Sequence, residues 1–340
     1  GSNGKTTTKE LIHSVLSKRF NTFATQGNYN NHIGVPLTLL RLTQETEYGV
    51  IEMGANHPGE IDFLCRIAEP DMGLITNFGK AHLKGFGSFE GVVKTKTEMY
   101  RYLAEKKGLV FVNGNNNLLM EQLTDFPSGI VKYGDHERSD YYGYRLEQAE
   151  NLVFQLQCHE QNDGKEISIH TQVYGNYNFE NYMAAACIGL HLGVSCDAVQ
   201  EALASYIPGN NRSQVFSTQN NRLFLDAYNA NPTSMQYALS DFIKKYPDNQ
   251  SFIIVGDMFE LGKYSVDEHQ KIVDFVYEQG VTHVCFIGQE FDKVERTYHF
   301  NFFQSTQETR EWLKQHPLKG YYIFLKGSRG MALEQLIDDL

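Results

Sequence analysis

Short apolar runs rich in β-branched and aromatic residues recur along this chain, and several close on a polar or charged residue. They read YGVIEM (48–53), MGLITNF (72–78), GLVFVN (108–113), LFLDAY (223–228), FIIVGD (252–257), HVCFIG (283–288) and YYIFLKG (321–327). Helical patterns separate many of them, a layout that predicts β-α units and parallel sheets covered on both faces. Functional groups in such sheets collect where strands end. Glu52, Asn77, Asp226, Asp257 and Lys326 stand at those ends. Residues 130–175 differ: the alternating stretches LVFQLQCHE and EISIHTQVYG flank Asn162-Asp163-Gly164, read as a hairpin turn in an antiparallel addition. The aperiodic SYIPGNNRSQ (205–214) marks a boundary. The expectation is two α/β domains, 1–207 and 208–340.

A length of 340 residues suffices for two separate cores. No run approaches the roughly 18 apolar residues of a membrane span. The cysteines (Cys65, Cys158, Cys187, Cys196, Cys285) are scattered without a CxxC pair, which predicts reduced, mostly buried thiols in a cytoplasmic protein and argues against zinc. A formal net charge of −11 disfavours a nucleic-acid partner. An anionic ligand then needs local cations or magnesium.

The chain opens GSNGKTTTKE, with no strand before it. Lys5 and Thr6 follow a flexible stretch and open a helix whose apolar stripe is Leu11, Ile12, Val15, Leu16 and Phe20. Unpaired N–H groups at a helix start suit a phosphate, lysine adds charge on the outer phosphates, and a threonine hydroxyl can hold Mg²⁺. A short match of this kind also fits an ordinary capped helix. A second feature is a lysine on an apolar face. After the N-cap Ser88, steps of three and four run 89, 93, 96, 100, 103, so Lys96 lies in the stripe. Lys94 instead falls with Glu90, Glu98 and Arg101 on the polar face. Such a lysine either snorkels or becomes neutral, and a neutral amine can take up CO₂ as a metal-bridging carbamate. With Glu52 and His82 it offers ligands suited to Mg²⁺.

These residues, in this order, resemble the Mur ligases, ATP-dependent amide-forming enzymes of peptidoglycan synthesis. The opening loop is similar to their ATP loop. TQGNYNNHIGVPLTLL (25–40), EMGANHPGEI (52–61), TNFGKAHLKGFGS (76–88), LDAYNANPTSM (225–235), VGDMFELG (255–262) and LKGSRGMALE (325–334) extend the likeness to the C-terminus. The resemblance implies a P-loop central ATPase domain with a mostly parallel sheet and a small antiparallel addition, then a Rossmann-like α/β C-terminal domain. It implies ATP held by Gly1, Ser2, Asn3, Gly4, Lys5, Thr6 and Thr7, with Asn178 and Asn181 near the nucleotide. Two magnesium sites follow, drawing on Thr6, Glu52, His82 and a carbamylated Lys96, and Lys5, Glu52, His82 and Lys96 are the catalytic set. Asp226 matches a ribose ligand, Tyr228 and Asn229 lie near the base, and Arg212 matches the arginine of a Pro-Gly-Arg that this chain widens to PGNNRS. Asn28, Asn31, Lys326, Ser328 and Arg329 are expected at the substrates. Where the family usually has His-Asn, this chain has Tyr177-Asn178.

The implied reaction joins D-alanyl-D-alanine to a UDP-N-acetylmuramoyl-tripeptide through an acyl phosphate, in a cytoplasmic monomer. Another Mur ligase or a folylpolyglutamate-type ligase is the alternative, as is a P-loop nucleotide-binding switch or kinase. No stretch resembles the family's N-terminal UDP-binding domain. A fragment truncated at its start, and inactive alone, is therefore a further expectation.

Overall fold

The structure, a computed structural model, describes all residues except 147–149, 159–164, 210 and 297. The turn read at Asn162-Asp163-Gly164 lies outside the described residues. The chain forms two compact units. One comprises residues 1–79, 85–172 and 178–206, the other 80–84, 173–177 and 207–340.

In the first unit β1 (Thr22–Ala24) and β2 (Tyr48–Val50) form a small parallel pair. A second sheet has the order β3 (Met72–Leu74), β4 (Leu109–Asn113), β5 (Ile130–Gly134), β6 (Tyr141–Leu146), β7 (Asn151–Gln157) and β8 (Glu166–Tyr174). β3 to β6 run parallel and β7 reverses against β6. The antiparallel part thus begins later than the alternation at 130 implies. The helices before residue 207 are α1 (Lys5–Leu16), α2 (Gly34–Leu39), α3 (Glu60–Ala68), α4 (Leu83–Phe86), α5 (Phe89–Lys96), α6 (Glu98–Lys106), α7 (Asn117–Glu121), α8 (Phe179–His191) and α9 (Cys196–Ser205).

α1 buries Leu11, Ile12, Val15 and Leu16 as its spacing predicts. It packs on α8, whose run of Ala184, Ala185 and Ala186 is buried. A Cβ at Gly189 of α8 would stand 2.2 Å from Val15 Cγ1, so only glycine admits this approach. α1 stops at Leu16, and Phe20 instead packs edge-on against Tyr48.

One expectation is overturned here. Cys158, just past β7, is bonded to Cys196 at the start of α9, so Cys65, Cys187 and Cys285 are the free thiols. The pair lies 38 residues apart in sequence, a spacing that carries no signal of pairing.

The second unit is built on a sheet of order β13 (Asn301–Phe303), β12 (Val284–Ile287), β11 (Ser251–Gly256), β14 (Tyr322–Lys326), β10 (Arg222–Asp226), β9 (Gln214–Ser217). All but β9 run parallel. β11 and β12 are buried along their whole length, as central strands covered on both faces must be. α10 (Pro232–Lys245), α11 (Ser265–Glu278) and α12 (Thr306–Gln315) accompany the sheet. α10 starts at a capping box, Asn231 with Ser234, followed by Pro232. The register of β10 on β14 sets Asp226 directly opposite Lys326, the last residue of each strand.

Candidate active site

Residues 76–79 anchor the opening loop. Ser2 N–H donates to Asn77 O at 2.9 Å, Asn3 N–H donates to Asn77 Oδ1 at 2.9 Å, and Thr76 Oγ1 donates to Asn3 O at 2.6 Å. Gly4 then turns through the left-handed region (φ 78°) to start α1. A Cβ there would lie 2.3 Å from Asn181 Oδ1, so both the turn and the close approach need glycine. Asn181 also accepts from Thr8 Oγ1 at 3.0 Å and donates to Asn178 Oδ1 at 3.1 Å. Asn178 and Asn181 therefore brace the back of the loop. The helix start leaves a set of N–H groups beside Lys5, whose ammonium donates to Ser2 O at 3.2 Å.

Thr6 Oγ1 lies 3.3 Å from Glu52 Oε1, which Asn30 Nδ2 also reaches at 2.8 Å. Glu52 is 5% exposed, and its Oε2 is buried with no hydrogen-bond partner among the described residues. Leaving a buried carboxylate oxygen without a partner is costly, and the arrangement suits a cation. The hard oxygens of Thr6 and Glu52 fit Mg²⁺.

Lys96 ends α5, 4% exposed, with its ammonium 5.8 Å from the centre of the Phe86 ring. Burial, then the nearby charge of Lys5, pushes its pKa down to about 7. The amine is thus available in neutral form near pH 7. The predicted stripe is carried by two helices, with Thr97 between them donating its hydroxyl to Val93 O at 2.9 Å. Glu98, expected on the polar face, is buried instead. It accepts N–H bonds from Gly59 (2.8 Å) and Asp62 (3.0 Å) at the start of α3. That helix start draws the carboxylate inward.

In the second unit the buried Lys326 ammonium pairs with Asp226 Oδ2 and approaches Asn229 O at 3.4 Å. Arg212 stacks on the Tyr228 ring, 3.5 Å from its centre, while Asn229 is exposed. Ser328 accepts the Phe259 N–H at 3.0 Å, and its own N–H donates to Asp257 O. Arg329 is exposed and pairs with Glu334 at 2.9 Å. His82 sits in the stretch 80–84 that belongs to this unit and pairs with Glu260, which it holds below the usual carboxylate range.

Of the expected residues, the first unit therefore brings together the loop, Thr6, Glu52, Asn178 and Asn181, with Lys96 near Lys5. The second brings together Asp226 and Lys326, and Arg212 and Tyr228. Asn28 is exposed and Asn31 caps α2 through Ile33 N and Gly34 N, so Asn30 is the asparagine that reaches Glu52. Nothing in the pattern singled out Asn30 or Glu98.

A family model for the Mur ligase middle domain matches residues 1–189, and one for the Mur ligase glutamate ligase domain matches 211–329. The UDP-N-acetylmuramoyl-tripeptide–D-alanyl-D-alanine ligase of Bacillus subtilis is 33% identical over 355 residues, covering 100% of this chain and 74% of that protein. The Escherichia coli enzyme of the same name is 32% identical over 352 residues, covering 99% of this chain and 75% of its own. Among solved structures, MurF from Acinetobacter baumannii superposes with a TM-score of 0.85 at 31% identity, covering 100% of this chain and 75% of that one.

Proposed function

The chain belongs to the Mur ligase family, and on that premise we propose an assignment of its residues to the ligase reaction. It is an ATP-dependent, ADP-forming ligase that joins D-alanyl-D-alanine to a UDP-N-acetylmuramoyl-tripeptide in peptidoglycan synthesis. ATP gives its γ-phosphoryl to the tripeptide carboxylate, the dipeptide amine attacks the resulting acyl phosphate, and phosphate leaves. Charge neutralisation and positioning carry such a transfer.

The N–H groups at the start of α1 and the Lys5 ammonium receive the outer phosphates. Thr6 and Glu52 would hold one Mg²⁺, and His82 would contribute to a second. Bound magnesium would neutralise charge on the transferring phosphoryl group. The Lys96 amine adds CO₂ and loses a proton, becoming a carbamate that joins this oxygen set. Asp226 receives the ribose, and Arg212, Tyr228 and Asn229 line the base. Lys326 being engaged by Asp226, the exposed Arg329 takes the dipeptide carboxylate. The enzyme works as a cytoplasmic monomer, where ATP and its UDP-linked substrate are made.

The observation that carries the site assignment is the buried Glu52 carboxylate beside Thr6, whose Oε2 has no hydrogen-bond partner among the described residues. Glu52→Ala is expected to lose magnesium-dependent turnover by at least about 100-fold. Lys96→Ala is expected to be inactive and to regain activity with an added short carboxylic acid. A folded Lys96→Ala protein that no such acid rescues would count against the carbamate. Unchanged turnover in Glu52→Ala would remove that residue from the site.

A further inference from the structure

Asp226 ends β10 at the edge of the parallel sheet where ligands of such folds bind. Its Oδ2 is taken by the Lys326 ammonium and by the Tyr177 hydroxyl at 3.5 Å, whereas Oδ1 takes no protein donor among the described residues. Tyr177 Oη lies 3.1 Å from Ser213 Oγ, so the serine donates to the phenol and the phenol to the carboxylate. The ring lies against Gly175, where a Cβ would stand 2.2 Å from Cε1. Burial, then the neighbouring Asp226, pushes the Tyr177 pKa well up, so the hydroxyl keeps its proton at neutral pH.

We propose that Tyr177 and Lys326 are positioning residues that fix the Asp226 carboxylate with Oδ1 turned out for a ribose hydroxyl of the nucleotide. The inference rests on the reading of Asp226 as the ribose ligand. The Lys326 charge cancels that of Asp226, which suits the pair to a neutral hydroxyl rather than to a metal ion. The β10–β14 register makes this ion pair part of the sheet, and Tyr177 supplies the second restraint, in a position where the family pattern has histidine.

The test is equilibrium binding of Mg²⁺–ADP and Mg²⁺–2′,3′-dideoxy-ADP to the whole chain and its variants. The wild type is expected to favour ADP by about ten-fold, the scale of a hydrogen bond to a charged group. Asp226→Asn brings that ratio to about one, and Tyr177→Phe and Lys326→Met bring it to about three. Tyr177→His, which keeps a ring and a donor, restores part of it and covers the case in which Lys326→Met fails to fold. A role confined to stability would weaken both nucleotides equally and leave the ratio intact. A full ratio in Tyr177→Phe, with the ratio lost in Asp226→Asn, would overturn the inference. A full ratio in Asp226→Asn would instead overturn the ribose assignment, and the inference with it.

Discussion

Lys96 could be found in the sequence because an apolar stripe at helical spacing contained one charged residue where none belongs. What the stripe could not show was the balance between snorkelling and burial. That depends on burial beside Phe86 and on the charge of Lys5, both brought in from other elements. Burial has a consequence for stability. A lysine pKa of about 7 in the fold lies below its unfolded value, so the folded chain binds fewer protons between about pH 7 and 10. The destabilisation is full below pH 7 and fades as pH rises towards the unfolded pKa. In CO₂-free buffer without magnesium, Lys96→Met should therefore stabilise the protein more at pH 7 than at pH 9. A shift of one unit corresponds to about 1.4 kcal/mol, and a difference of about 2 kcal/mol between the two pH values is expected from urea unfolding. An equal gain at both would mean the amine is not held in a dry site. Asn30 gives the opposite lesson. It stands between Asn28 and Asn31, and which of the three faces Glu52 depends on how the loop folds before α2.

At the scale of elements, the strand runs were legible because parallel strands covered on both faces are largely apolar, and each run overlaps a strand. The ends were less so. β2 stops at Val50 and β3 at Leu74, and Glu52 and Asn77 lie in the irregular backbone just beyond, where a loop can bend towards a ligand. Helix faces failed where tertiary contacts outweighed the local pattern. Glu98 looked solvent-facing on its own helix, but the start of α3 offers it two N–H donors. Glu98→Ala should thus cost about 2 kcal/mol of stability, since it strands those donors in a buried place. Lys94→Ala, on the exposed side of α5, should stay within about 0.5 kcal/mol. Urea denaturation of both variants checks this, and equal small effects would show that Glu98 does not cap α3. The Cys158–Cys196 bond was invisible for a related reason: only the packing of α9 near the end of β7 brings the two thiols together.

At the scale of the whole molecule, each unit carries its own cluster of polar and charged groups. The first holds the glycine-turned opening loop, the Glu52 carboxylate and the buried Lys96 amine. The second holds an ion pair at the ligand end of a Rossmann-like sheet. Their order along the chain was readable from motifs, because each motif sits where a strand or helix ends and so keeps its neighbours in sequence. The stretches 80–84 and 173–177, which belong to the second unit while lying within the sequence of the first, were not. No local pattern records which core a short connecting segment joins. The net charge of −11 makes sense on the same scale. With no global positive field, nucleotide binding must rest on local groups. The central claim, that this chain spends ATP to form an amide, is tested most directly by phosphate release in the presence of ATP, Mg²⁺ and UDP-N-acetylmuramoyl-tripeptide. Phosphate should appear only when D-alanyl-D-alanine is added, mole for mole with the pentapeptide product seen by mass spectrometry. Phosphate released at the same rate without the dipeptide, and without new amide, would contradict it.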